Sequence, residues 1–101
     1  MFVTEVTLAT PAGRKYLIQL CKHFRHKVAA EWAEDGSSGT AALPTGPCAL
    51  QADEAGVFIR CEARDEAGVA VAHKIIEEHL VKFAFRETLT YDWRTFQNPR
   101  A

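Results

Sequence analysis

The run Leu20-Cys21-Lys22-His23-Phe24-Arg25-His26-Lys27 places one thiol, two imidazoles and three permanent cations in eight consecutive positions. Imidazole and thiolate ligate zinc-like metals, whereas protonated imidazole and ammonium groups bind anionic oxygens. On a helix His23 and His26, three apart, have Cβ atoms roughly 5–6 Å from each other, close enough to share an ion or an anionic oxygen. A metal site needs three or four ligands, and an isolated His-x-x-His pair is a weak signal for one. Lys22 and Lys27 add positive charge nearby. His23, His26, Lys27 and Lys22 are therefore the candidate ligand-binding residues, set against the plainer reading of a solvated or partner-facing helix rim.

His79 stands apart because it falls in an apolar stripe between Ile76 and Phe83. Such a histidine is more often a hydrogen-bonded core residue than a ligand. Two helices packed side by side would bring it toward His23, and a metal-dependent enzyme or carrier using His23, His26 and His79 is the alternative function. The cysteines are three, an odd number with no CxxC pair, which argues against a secreted disulfide framework and a zinc ribbon. All fall on core-facing positions, where cysteine packs as a small hydrophobe.

Other chemistries find less support. No GxSxG elbow occurs, and Ser37 and Ser38 sit in the loosest part of the chain. No phosphate-cradling glycine loop or dinucleotide fingerprint is present, so no cofactor is assigned. Asp92 beside Trp93, and Arg86-Glu87, read as surface pairs or caps. No catalytic residue is assigned, and the reading leans away from an enzyme.

The elements that must position these groups follow from periodicity. Phe2, Thr4, Val6 and Leu8 alternate with Val3, Glu5 and Thr7, a strand that stops at Thr10-Pro11. Threonine as a cap and proline at the first helical position start a helix expected to run to about Val28. Leu17, Leu20, Cys21, Phe24 and Val28 form its buried stripe, with Tyr16 at the edge. Cys21 thus points away from His26, and the three cannot chelate one ion from one regular helix. Val28, Ala30 and Trp32 suggest a second strand.

The stretch 34–47 is expected as a flexible loop or a hairpin holding one short strand. Beyond it a hairpin pairs Ala52 with Val57, Leu50 with Ile59 and Cys48 with Cys61 across the turn Asp-Glu-Ala-Gly. Asp65 caps a second helix whose buried stripe is Val69, Ala72, Ile76, His79, Leu80 and Phe83, with Glu78 and Lys82 as an exposed pair. Leu89, Tyr91 and Trp93 suggest a closing strand, and 97–101 a frayed tail. The fold expected is α+β, a two-layer sandwich of an antiparallel sheet of about five strands with both helices on one face, in the order β-α-β-β-β-α-β with room for one extra short strand.

At 101 residues, 48% hydrophobic and 25% charged, the chain is expected to be a single domain over 1–101 of ordinary globular composition. A formal charge of −1 leaves no global field to attract nucleic acid or a membrane, so any anion binding is local. The basic rim has no interleaved aromatics of the kind that bind nucleic acid. The opening Met-Phe-Val-Thr-Glu-Val-Thr-Leu-Ala-Thr-Pro-Ala-Gly has neither a basic leader nor a long apolar run, and a cytoplasmic location is expected.

Three stretches together resemble a known family. "YLIQLCKHFRHKVAAEW", "GPCALQADEAGVFIRCEA" and "HLVKFAFRETLTYDWR" are similar to the bacterial domain of unknown function 2218, over about Thr7 to Arg94. The most specific blocks are Leu20 to Lys27, Phe83-Ala84-Phe85-Arg86-Glu87 and Asp92-Trp93-Arg94; the segment Glu34 to Pro47 departs by being longer and richer in glycine and serine. The resemblance implies a small bacterial domain without an assigned activity, sometimes associated with flavin-dependent siderophore-interacting proteins. That association makes such a protein an expected partner, beside the small anionic ligand that the basic rim of the first helix suggests, but it assigns no residue a role.

Overall fold

The computed structural model describes residues 1–97; apart from Gln97, the tail expected to fray lies outside the described residues. The elements are β1 (Phe2–Ala9), α1 (Gly13–Phe24), β2 (Ala30–Trp32), β3 (Ser38–Leu43), β4 (Gly46–Ala52), β5 (Gly56–Ala63), α2 (Glu66–Phe83) and β6 (Arg94–Gln97). They form one six-stranded sheet in the order β2-β3-β4-β5-β1-β6, antiparallel at every pairing. Both helices cover the same face, as the α+β reading requires, and the extra strand is β3.

Register explains the layering. Thr4, Val6 and Leu8 of β1 lie opposite Cys61, Ile59 and Val57 of β5, and Ile59 and Cys61 in turn oppose Leu50 and Cys48 of β4. All eight are buried. Against them α1 sets Tyr16, Leu17, Leu20, Cys21 and Phe24, and α2 sets Val69, Ala72, Ile76 and Leu80. Each fully buried aliphatic side chain contributes about 1.5–3 kcal/mol relative to exposure, so this interface is the main source of stability.

The hairpin β4–β5 has the register expected, with Asp53 Oδ1 accepting the Ala55 and Gly56 amides at 2.8 and 3.2 Å to close the turn. Asp65 caps α2 by accepting from the Gly68 amide at 2.7 Å. The segment 34–47 is mostly paired: Gly39, Ala41 and Leu43 of β3 face inward, Ser38, Thr40 and Ala42 outward. Gly36, at φ 77°, makes the tight turn before it.

Three boundaries differ from expectation. First, α1 ends at Phe24, with Arg25 as its C-cap, and the chain coils through hydrogen bonds from Lys27 and Val28 to the Phe24 carbonyl at 3.0 and 2.8 Å. A helix carried to Val28 would leave a single residue in which to reverse direction before β2. Second, Thr10 does not cap the helix; its Oγ1 accepts the Ala12 amide at 3.1 Å and donates to Glu87 at 3.0 Å. Third, the closing strand is Arg94–Gln97. Leu89, Tyr91 and Trp93 are half-buried and alternate with exposed neighbours, but they pack against the core without strand pairing. Their periodicity came from side-chain burial along an extended segment, which does not require a ladder.

Candidate functional site

Lys22 and His23 occupy the last turn of α1, and His26 and Lys27 the coil that follows; all four are exposed. Phe24 and Cys21, on the opposite side of the same turn, are buried at 5% and 0% exposure. This is the arrangement required for a rim: apolar and thiol groups inward, imidazoles and ammonium groups toward water. The helix dipole favours cations at a C-terminus and so accounts for Lys22 and His23. His26 and Lys27, beyond the helix, have no such structural explanation.

The second helix completes this rim. His23 packs its ring on Phe83, centroids 4.8 Å apart, and lies 5.9 Å from His79 and 6.3 Å from His26. His79 is held between the two helices by an edge contact with Phe24 at 5.1 Å. Its Nδ1 donates to the Ile75 carbonyl at 2.7 Å, as expected of a core histidine, which leaves only Nε2 free in the neutral ring. The structure thus brings His79 to His23 as side-by-side helices require. Among the described residues, however, no three His, Cys, Asp or Glu side chains are grouped so as to hold a metal ion.

Sequence reasoning missed Lys82, taking it only as the partner of Glu78. Glu78 pairs instead with Lys74, at 3.9 Å. Lys82 follows His79 by three residues and shares its flank of α2, so the signal was available in the spacing. Among the described residues no carboxylate lies within ion-pairing distance of Lys22, Arg25, Lys27 or Lys82. Arg25 leaves the rim and stacks on the Trp32 ring at 5.5 Å.

Two further polar clusters lie away from this rim, one between α2 and β1 and one between α1 and the segment after α2. His73 Nε2 shares a hydrogen bond with buried Thr4, and its ring stacks on Trp93, which donates to Glu77. Glu87, though exposed, accepts from both Tyr16 and Thr10, so it ties the segment after α2 to α1 and the end of β1 and does not pair with Arg86. Both clusters are internally satisfied and join elements of the fold. The cysteines are free and buried; Cys48 and Cys61 have their Sγ atoms 3.4 Å apart. Burial pushes the Cys21 thiol up to about 11, and the neighbouring thiol, then burial, raises that of Cys48. Such thiols are poor nucleophiles.

The larger clefts lie elsewhere. One of about 640 Å³ opens on the uncovered face of the sheet between Glu31 and Arg60, and it touches the Leu20 to Lys27 segment only through Arg25. The rim itself is therefore better shaped for a surface contact than for enclosing a small molecule.

The profile of a bacterial family described as "Uncharacterized protein conserved in bacteria (DUF2218)" matches residues 5–94. The chain belongs to this family. The match takes in both helices and the rim, and extends to Arg94, the first residue of β6. Among solved structures, the DUF2218 chain is similar to PA4090 from Pseudomonas aeruginosa, determined by NMR, with a TM-score of 0.76 and 26% identity over 93% of this chain and 96% of that one. No curated protein matches. No helix among the described residues is long and apolar enough to cross a membrane.

Proposed function

We propose that this DUF2218 chain is a non-enzymatic cytoplasmic accessory domain that binds an acidic partner protein, or a small anionic ligand, through the rim formed by Lys22, His23, His26 and Lys27 of the α1 end with His79 and Lys82 of α2. The observation that carries this reading is the one-sided charge. A run of cations and imidazoles is exposed there with no carboxylate among the described residues in pairing distance, in a chain whose net charge is −1. Elsewhere on the surface Arg14, Arg60 and Lys74 each have a carboxylate neighbour, and the described cations without one, Lys15, Arg64, Arg86 and Arg94, stand on four different segments, so what sets the rim apart is its clustering. Unpaired like charges repel one another, and an acidic surface relieves that repulsion and is steered toward it. The family resemblance favours siderophore-iron handling as the setting.

The test is an NMR titration with a glutamate-rich peptide and, separately, with inorganic phosphate. Amide shifts should centre on Lys22 to Lys27, His79 and Lys82, weaken with salt, and vanish in the Lys22→Glu, Lys27→Glu double variant. Shifts elsewhere, or an unchanged response in that variant, would overturn the reading.

A further inference from the structure

The sheet face away from the helices carries a pattern of its own. Glu31 of β2, Thr40 of β3, Ala49 of β4 and Arg60 of β5 are consecutive register partners, so they form one line across four strands. Their side chains share that open face, since the flanking residues Ala30, Ala41, Cys48, Leu50, Ile59 and Cys61 point into the core. Ala42 and Pro47 oppose each other in the next such line. These small side chains floor the 640 Å³ cleft, with Glu31 and Arg25 on one bank and Arg60 and Glu62 on the other. Glu31 and Arg60 are three strand spacings apart, roughly 14 Å, at the same height along the strands and opposite in sign.

A surface that is negative on one bank and positive at the mirrored place on the other is complementary to itself. A two-fold axis running along the strands between β3 and β4 exchanges the banks while keeping the height. Isologous interfaces require that exchange. It sets Glu31 of each copy over Arg60 of the other and Thr40 over Ala49, and turns the Arg25 bank toward the one that holds Glu62. The floor of alanine, threonine and proline lets two sheets approach to the ordinary separation of about 10 Å without displacing a large side chain.

We propose that the open face of the sheet binds a second copy of this chain about that axis, giving a four-layer helix-sheet-sheet-helix dimer. Arg60 then bridges Glu31 of the partner subunit and its own Glu5, which it already meets at 3.4 Å. Four strands of three to eight residues offer on the order of 400–600 Å² per copy, less than the roughly 800 Å² per partner of a standard interface. The dimer is therefore weak and salt-sensitive, forming near millimolar protein and fading as the ionic strength rises.

Sedimentation equilibrium of the full chain from about 10 µM to 1 mM, at low and high salt, tests this, with NMR shifts followed over the same concentrations. The expected result is self-association whose shifts map to β3, β4 and the flanking Glu31 and Arg60. Glu31→Arg alone and Arg60→Glu alone should each weaken it at least about tenfold, the loss of one close ion pair per half-interface, and the double reversal should restore it. Both residues are exposed, so circular dichroism should be unchanged in every variant. A strictly monomeric chain at 1 mM, association mapping to the helices, or a double reversal no better than the single ones would each overturn the proposal.

Discussion

Thr4 Oγ1 lies 2.7 Å from Nε2 of His73, joining β1 to the middle of α2 across 69 positions of sequence. The threonine is wholly buried and its hydroxyl also meets Thr95 Oγ1 at 2.8 Å, so one side chain links the edge strand β6 to the helix layer. On the other side of the imidazole Trp93 stacks at 4.1 Å, with its planes 17° apart, and its indole N–H donates to Glu77 at 2.8 Å. Residues 93–95 are thus fastened through His73.

Burial lowers the pKa of His73, against the opposing pull of the Glu77 carboxylate. The folded chain then holds the ring neutral more strongly than the unfolded chain, whose imidazole titrates near 6.5. The stability contributed is fully present above that value and is lost as the pH falls from 6.5 through the lower folded pKa. Thermal unfolding of the wild type should therefore fall on acidification through that window more steeply than that of His73→Gln, with Trp93 fluorescence changing in the same range. Parallel curves for the two proteins would count against it.

A second hydrogen-bonded pair acts at the alkaline end. The Tyr16 hydroxyl donates to Glu87, which also accepts from Thr10, so a residue outside any helix or strand is held by two hydroxyls. Burial of the ring, then the bond to the Glu87 carboxylate and its charge, push the Tyr16 pKa from 10.0 up to about 12. Folding therefore favours the protonated phenol. That stability is present below pH 10 and is lost as the pH rises from 10 toward 12. Tyr16→Phe keeps the ring but leaves Glu87 with one partner, and should cost about 1–2 kcal/mol in urea unfolding near neutral pH. It should also flatten the alkaline loss of stability. With only Tyr16 and Tyr91 in the chain, absorbance titration resolves the missing phenol directly; an unchanged midpoint and alkaline limb would remove the role assigned to this pair.

These two pairs show where sequence reasoning reached and where it stopped. The β4–β5 register was legible because large and small residues alternate cleanly there and the turn Asp53 to Gly56 leaves one way to pair. The helix stripes were legible for the same reason, and with them the outward placement of His23 and His26. Strand β3 was ambiguous because Gly39, Ala41 and Ala42 give little contrast in hydrophobicity, and glycine and alanine are poor strand formers. Thr4 and Glu87 were opaque for a different reason: their partners lie 69 to 91 positions away. A polar residue inside an apolar pattern announces a partner without naming it. The nearness of His79 to His23 depended on how two helices pack, a relation no single helical period contains.

Gly39 is the residue that lets α1 settle on β3, and its necessity can be measured. A Cβ at position 39 would sit 2.9 Å from Cys21 Sγ and 3.2 Å from both Leu17 Cδ2 and the Glu31 carbonyl oxygen. Cys21 is completely buried, so it cannot swing into solvent to make room. Gly39→Ala should destabilise by about 1–3 kcal/mol through overpacking. Cys21→Ala alone removes the sulfur and leaves a void, at a cost of order 1 kcal/mol. In the double variant the new methyl enters that void, so the combined loss should be smaller than the sum by about 0.5–3 kcal/mol, the range for side chains in contact. The compensation stays incomplete because the Glu31 carbonyl belongs to the paired backbone of β2 and does not move with the thiol. Denaturant unfolding of the four proteins closes the cycle; strictly additive losses would mean that the thiol and the glycine do not share the space that seats the helix.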